Sequence, residues 1–82
     1  MYCKVLFHNH KAGGFSGRIY TYSTQLDLKV GDKVLCPIAK ESEPKRALVT
    51  EINVPESEIE DSWRDRIKEI RDYDYTDMQP VR

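Results

Sequence analysis

Eighty-two residues with two cysteines and a net charge of −1 make one small domain. With 39% apolar and 33% charged residues, a core of roughly fifteen side chains has to suffice, which leaves little stability to spare for an elaborate buried catalytic site. No run approaches the ~20 apolar residues that span a bilayer, and Met1-Tyr2-Cys3-Lys4 has none of the parts of a signal peptide, so a cytoplasmic protein is expected.

The first element is a strand over Tyr2–Phe7, with Cys3, Val5 and Phe7 on one face and Tyr2, Lys4 and Leu6 on the other. His8–Gly17 reads as a flexible loop, because Asn9, Gly13, Gly14 and Gly17 stand among small and polar residues. Arg18–Thr24, rich in aromatic and β-branched residues, is a second strand. Leu28-Lys29-Val30 then closes on Gly31-Asp32. Glycine takes a positive φ without steric cost and aspartate bonds its own backbone, so this pair is read as a tight turn. Lys33–Cys36 follows as a strand that Pro37, lacking an N–H, brings to its end.

Ala39–Lys45 is polar and reads as a surface connection. Arg46–Val54 is a fourth strand. Leu48, Thr50, Ile52 and Val54 make its apolar face, and Ala47, Val49, Glu51 and Asn53 a half-solvated one. After Pro55, Ser57 and Glu60 match a capping box. Ile59, Trp63, Ile67 and Ile70 recur at helical spacing, and Arg64 has Glu60 and Asp61 within reach. This predicts a helix from about Glu56 to Ile70, with Trp63 in the core; the alternative is a shorter helix with Arg66–Tyr73 as a closing strand. The expected fold is therefore mainly β, a small barrel of SH3-like size with four or five strands (residues 1–54), an amphipathic capping helix (55–71) and an acidic tail (72–82).

Three stretches together resemble a known family: Tyr20-Thr21-Tyr22, Val30-Gly31-Asp32-Lys33-Val34-Leu35-Cys36-Pro37 and Arg46-Ala47-Leu48-Val49-Thr50-Glu51-Ile52. Their order and spacing are similar to the N-terminal DNA-3′-end-binding domain of the primosomal replication-restart helicase, and to short stand-alone bacterial and phage proteins with that barrel. The resemblance implies a pocket for a terminal base with Tyr20 at its aromatic position. Thr21 stands where that family has an aspartate and Ala39 where it has a glycine, so recognition of a terminal hydroxyl through a carboxylate is not implied.

Charge divides along the chain. Residues 1–50 carry eight basic and four acidic side chains, and residues 51–82 five basic and ten acidic. Lysines and arginines interleaved with aromatic residues are what phosphates and stacked bases require. Tyr20, Tyr22, Lys33, Lys45 and Arg46 are accordingly the expected nucleic-acid-binding surface, although the same residues also serve as ordinary solvated positions and strand cover. Cys3, His8, His10 and Cys36 are acceptable zinc ligands but lack paired short spacings, so no metal is expected. Cys36 with His8 or His10 lacks an orienting third group, so no catalysis is expected. Without a cofactor motif, the sequence reads as a non-catalytic accessory module whose partner is nucleic acid or a nucleic-acid-processing protein. The rival is a protein-binding module or phage-type inhibitor working through the acidic half.

Overall fold

The computed structural model describes residues 1–9, 11–38, 43–64 and 66–75, the side chain of Trp63 excepted. These residues form one mainly β structure, with strands β1 (Tyr2–Asn9), β2 (Gly14–Thr24), β3 (Lys33–Cys36), β4 (Lys45–Glu51), β5 (Glu69–Ile70) and β6 (Asp72–Tyr73). Across the sheet the order is β5-β2-β1-β4-β3-β6. All neighbours are antiparallel except β5, which runs parallel to β2.

The turn before β3 forms as its residues dictate. The Asp32 N–H donates to the Lys29 carbonyl at 3.0 Å, and Gly31 holds φ +97° at the third position, which a type II turn requires. Asp32 Oδ2 accepts the Lys29 N–H at 2.9 Å. The turn is also tied to β4, since the Gly31 N–H donates to the Val49 carbonyl and the Val49 N–H to the Asp32 carbonyl. An alanine at Gly31 would meet open space but would have to hold that positive φ.

The core is the inner face of this sheet: Cys3, Val5, Tyr22, Val34, Cys36, Ala47, Val49 and Ile70, with Leu28 from the segment before the turn. On β4 this reverses the expected faces. Ala47 and Val49 are fully buried, while Leu48 and Thr50 lie half-buried on the opposite side. Val5 pairs with Val49 and Leu6 with Leu48, so β1 sets which β4 residues point inward. Beyond the strand, Asn53 takes φ +52°. Val54 then returns to the interior, its N–H donating to the Tyr2 carbonyl at 2.9 Å.

The expected flexible loop at 8–17 is mostly ladder. His8 pairs with Phe15 and Asn9 with Gly14, the turn occupies Lys11–Gly13, and His10 lies outside the described residues. The register shifts between Leu6 and His8, and Gly17 takes φ +99° in the extra β2 residues opposite Phe7, a bulge that only glycine accommodates without strain.

The expected capping helix over 55–71 does not form. A 3-10 turn at Glu56–Glu58 has Pro55 as its N-cap and no side-chain cap, which leaves Ser57 inside the turn, and one α-turn spans Asp61–Arg64. Arg64 reaches Asp61 at 3.1 Å and Glu56 at 3.2 Å. The chain then enters β5 and β6, nearer to the alternative reading of a strand at 66–73. The sheet edges explain the outcome. The Ser23 N–H donates to the Lys68 carbonyl, the Asp74 N–H donates to the Lys33 carbonyl, and the Thr24 hydroxyl donates to the Ile70 carbonyl at 2.9 Å. A helix over the same residues would also pair their backbone groups, so what favours the strands is that they cover the open edges of β2 and β3 and bury Ile70 completely. Only Arg71 separates β5 from β6, so a single run pairs with β2 at one end and β3 at the other. Among the described residues no ladder joins β5 to β6, and the sheet is not closed into a barrel.

The expected acidic tail begins inside this structure, with Asp74 buried. Its remainder at 76–82, most of the connection at 39–42, and the expected core placement of the Trp63 side chain lie outside the described residues. No helix among those residues is long and apolar enough to cross a membrane.

Candidate nucleic-acid interface

The inner face ends in an aromatic group at one margin. Phe7, the last inward residue of β1, lies 4.9 Å from Tyr20 and 6.2 Å from Tyr22 between ring centres, the latter edge-on. The Lys45 Nζ sits 5.6 Å from the centre of the Phe7 ring, within cation–π range. Tyr20 is 44% exposed, whereas Tyr22 is buried and its hydroxyl donates to the Pro37 carbonyl at 3.0 Å. Burial, with Cys36 and Tyr20 nearby, pushes the Tyr22 phenol up to about 12. Tyr22 is thus a structural ring, and of the two only Tyr20 has an exposed face.

Beside this group runs a cleft of about 670 Å³. The stretch Arg18–Tyr22 of β2 makes one wall, and Glu58–Glu60 and Arg66–Lys68 contribute to the other, with Phe7, Lys45, Pro37 and Ile38 between them. The cleft opens where the chain leading into β5 leaves β2, because β5 pairs only with Ser23 and Thr24. Four cations (Arg18, Lys45, Arg66 and Lys68) and two carboxylates (Glu58 and Glu60) line it.

The five residues expected to form one surface are divided between two faces. Tyr20, Tyr22 and Lys45 stand at the aromatic margin of the inner face. Lys33 and Arg46 stand on the opposite face, where Lys33 pairs with the outward Leu48 and Arg46 with Leu35. Arg46 is committed there: its Nε donates to Asp74 Oδ2 at 2.6 Å, and the Asp74 side chain is 1% exposed. Phe7 and Lys68 complete the cleft and were not foreseen. Phe7 follows the core alternation of Cys3 and Val5, and Lys68 fell within the expected helix. Thr21, at the position of the family's aspartate, also lines the cleft; Ala39 lies outside the described residues.

Cys3 and Cys36 are free thiols with no exposed surface. Burial pushes Cys3 up to about 11 and, with Cys3 adjacent, Cys36 up to about 12. That is the reverse of the lowered value by which a reactive thiolate is recognised. By strand alternation His8 stands on the other face of β1 from Cys3, and among the described residues no three metal-ligating side chains come together.

A pH dependence follows. A folded-state pKa above the unfolded value of ~8.5 for Cys, or ~10 for Tyr, gives stability that is full below the unfolded value and is lost as pH rises toward the folded one. The urea midpoint should therefore hold through neutrality and fall above about pH 9. Cys36→Ala should flatten that decline, and an equal slope in parent and variant would contradict it. Compared with protein-family models, with curated proteins and with solved structures, the chain matches none.

Proposed function

We propose that this chain is a non-catalytic accessory module that holds a single strand of nucleic acid in the cleft beside β2. The observation that carries this reading is the half-exposed ring of Tyr20, packed on Phe7 with Lys45 above, where a base and its phosphate would meet stacking and charge together. Arg18 and Lys68 extend the positive lining along the same cleft. A cytoplasmic setting suits two thiols that remain unpaired.

Fluorescence anisotropy with labelled single-stranded oligonucleotides at two salt concentrations tests it. Stacking contributes about 1–3 kcal/mol per base, so Tyr20→Ala combined with Lys45→Ala should weaken binding roughly 10- to 100-fold. Loss of one phosphate contact should lower the salt slope by about 0.7. Lys33→Ala, on the other face, should bind as the parent does. Undiminished binding by the Tyr20/Lys45 variant, or a parent without salt dependence, rules the reading out.

A second reading takes a protein partner. Among the described residues no strand pairs with the outer edge of β2 over Gly14–Tyr22, and an unpaired edge is a template for an extended peptide. The exposed carboxylates of Glu58 and Glu60, which line the cleft beside that edge, would favour a basic one. Failure of oligonucleotide binding together with capture of basic extended peptides would select this alternative.

A further inference from the structure

We propose that the β1–β2 hairpin is a second nucleic-acid contact, a two-stranded arm that enters the major groove of duplex DNA. The inference rests on the reading of the ligand as nucleic acid and adds a site that the cleft does not include. Its first support is charge. All fourteen side-chain carboxylates lie at Asp27 or beyond, so the hairpin itself has none while carrying Lys11 and Arg18; its third cation, Lys4, lies within the sheet and pairs with Glu51 at 3.7 Å. A carboxylate on an element that enters a groove would face phosphates on both sides; this element has none to repel them.

The second support is reach. The last β1–β4 pair is Phe7 with Ala47, whereas the β1–β2 ladder continues to His8–Phe15 and Asn9–Gly14. On the other side β5 covers only Ser23 and Thr24. The end of the hairpin is therefore a ribbon of two strands with no recorded neighbour at either edge among the described residues. The B-form major groove, about 12 Å wide, admits a ribbon of that kind.

The third support is that the ribbon is built rather than loose. The His8 and Phe15 rings meet edge-on at 5.2 Å across the strands. At the turn the Lys11 N–H donates to Asn9 Oδ1 at 3.0 Å and Gly13 takes φ +71°. The bulge at Gly17 adds right-handed twist to the arm. Lys11 is exposed at its end, where it would meet a phosphate.

The test is anisotropy on a labelled duplex DNA, a duplex RNA of the same sequence and an unstructured single strand. The parent and the variants Lys11→Glu and Tyr20→Ala are compared, with melting curves to show that each is folded. Lys11→Glu should weaken duplex DNA binding about tenfold and lower its salt slope by about 0.9, leaving single-strand binding as in the parent. Tyr20→Ala should do the reverse. The narrow major groove of A-form RNA excludes side chains, so duplex RNA should bind more weakly than duplex DNA. A parent that binds single strands but not duplex DNA overturns the arm and spares the cleft. Equal binding of both duplexes, or a Lys11→Glu variant that weakens duplex and single strand alike or neither, also overturns the arm. A parent that binds none of the three overturns both.

Discussion

Replacing Ile70 by alanine should destabilise the protein by about 3 kcal/mol, and lower its melting temperature by on the order of 15 °C. A domain of this size has roughly 4–12 kcal/mol in all, so the loss is a large share. Ile70 has no exposed surface and belongs to the core cluster. Its backbone pairs with Thr24, and its carbonyl takes the Thr24 hydroxyl at 2.9 Å. It also begins the passage from one edge of the sheet to the other. Ile67, on the same helical spacing, is only half-buried; Ile67→Ala should cost no more than about 1 kcal/mol. Urea unfolding of the two variants separates the possibilities. A continuous helix laid across the sheet would make the two isoleucines comparable, so equal losses would contradict the strand passage.

What the sequence discloses about this fold is what short-range chemistry decides. The turn at Gly31-Asp32 needs a positive φ and a carboxylate that bonds back within three residues, and both are present in adjacent letters. The ends of β3 are set by that turn and by Pro37. The inward face of β1 is legible because Cys3, Val5 and Phe7 alternate with Tyr2, Lys4 and His8, which carry polar groups, with only Leu6 against the pattern. On β4, period two defines two faces but not which of them is inside. Leu48, Thr50, Ile52 and Val54 carry more apolar bulk than Ala47 and Val49, yet the pairing of Val5 with Val49 turns the smaller residues inward. The backbone at Asn53 then changes the phase, so that Val54 is buried after all. The stripe at 59, 63, 67 and 70 misled for a related reason. A helix of about fifteen residues only just reaches the length at which one is stable alone, and two sheet edges offered the same residues backbone partners that no local pattern reveals.

The candidate site was legible in part. Tyr20 and Lys45 meet at the cleft, the first through its place on β2 and the second through the start of β4. Tyr22 satisfies the same aromatic criterion, but two residues further along β2 it is already in the core. Phe7 belongs to the core alternation until the β2 bulge and the start of β4 leave it at the margin. Arg46 heads the strand expected from the sequence, as a nucleic-acid-binding cation would, and only the partner 28 positions later reassigns it.

That reassignment carries the other large expected effect. The Asp74 carboxylate is almost wholly buried and accepts from Arg46 Nε at 2.6 Å, with the Arg46 side chain 27% exposed. The Asp74 N–H meanwhile holds the Lys33 carbonyl at 2.9 Å just beyond β6. Breaking a buried ion pair from one side costs about 3–5 kcal/mol, because the other charge stays out of water without its counterpart. Arg46→Met, which takes the guanidinium away from the more deeply buried carboxylate, should lie in that range. Asp74→Ala, which leaves a guanidinium with some access to water, should cost about 2–4 kcal/mol. Arg46→Met combined with Asp74→Leu removes both charges and should recover most of the loss. The double-mutant cycle in urea then yields a coupling of more than about 1 kcal/mol. Strictly additive losses would mean that the two charges act separately and that Arg46 is not a structural cation. Single-strand affinity adds an independent check. If Arg46 is spent on Asp74, Arg46→Met should keep the parent's binding wherever it remains folded, and a drop matching that of the Tyr20 variant would return Arg46 to the binding surface.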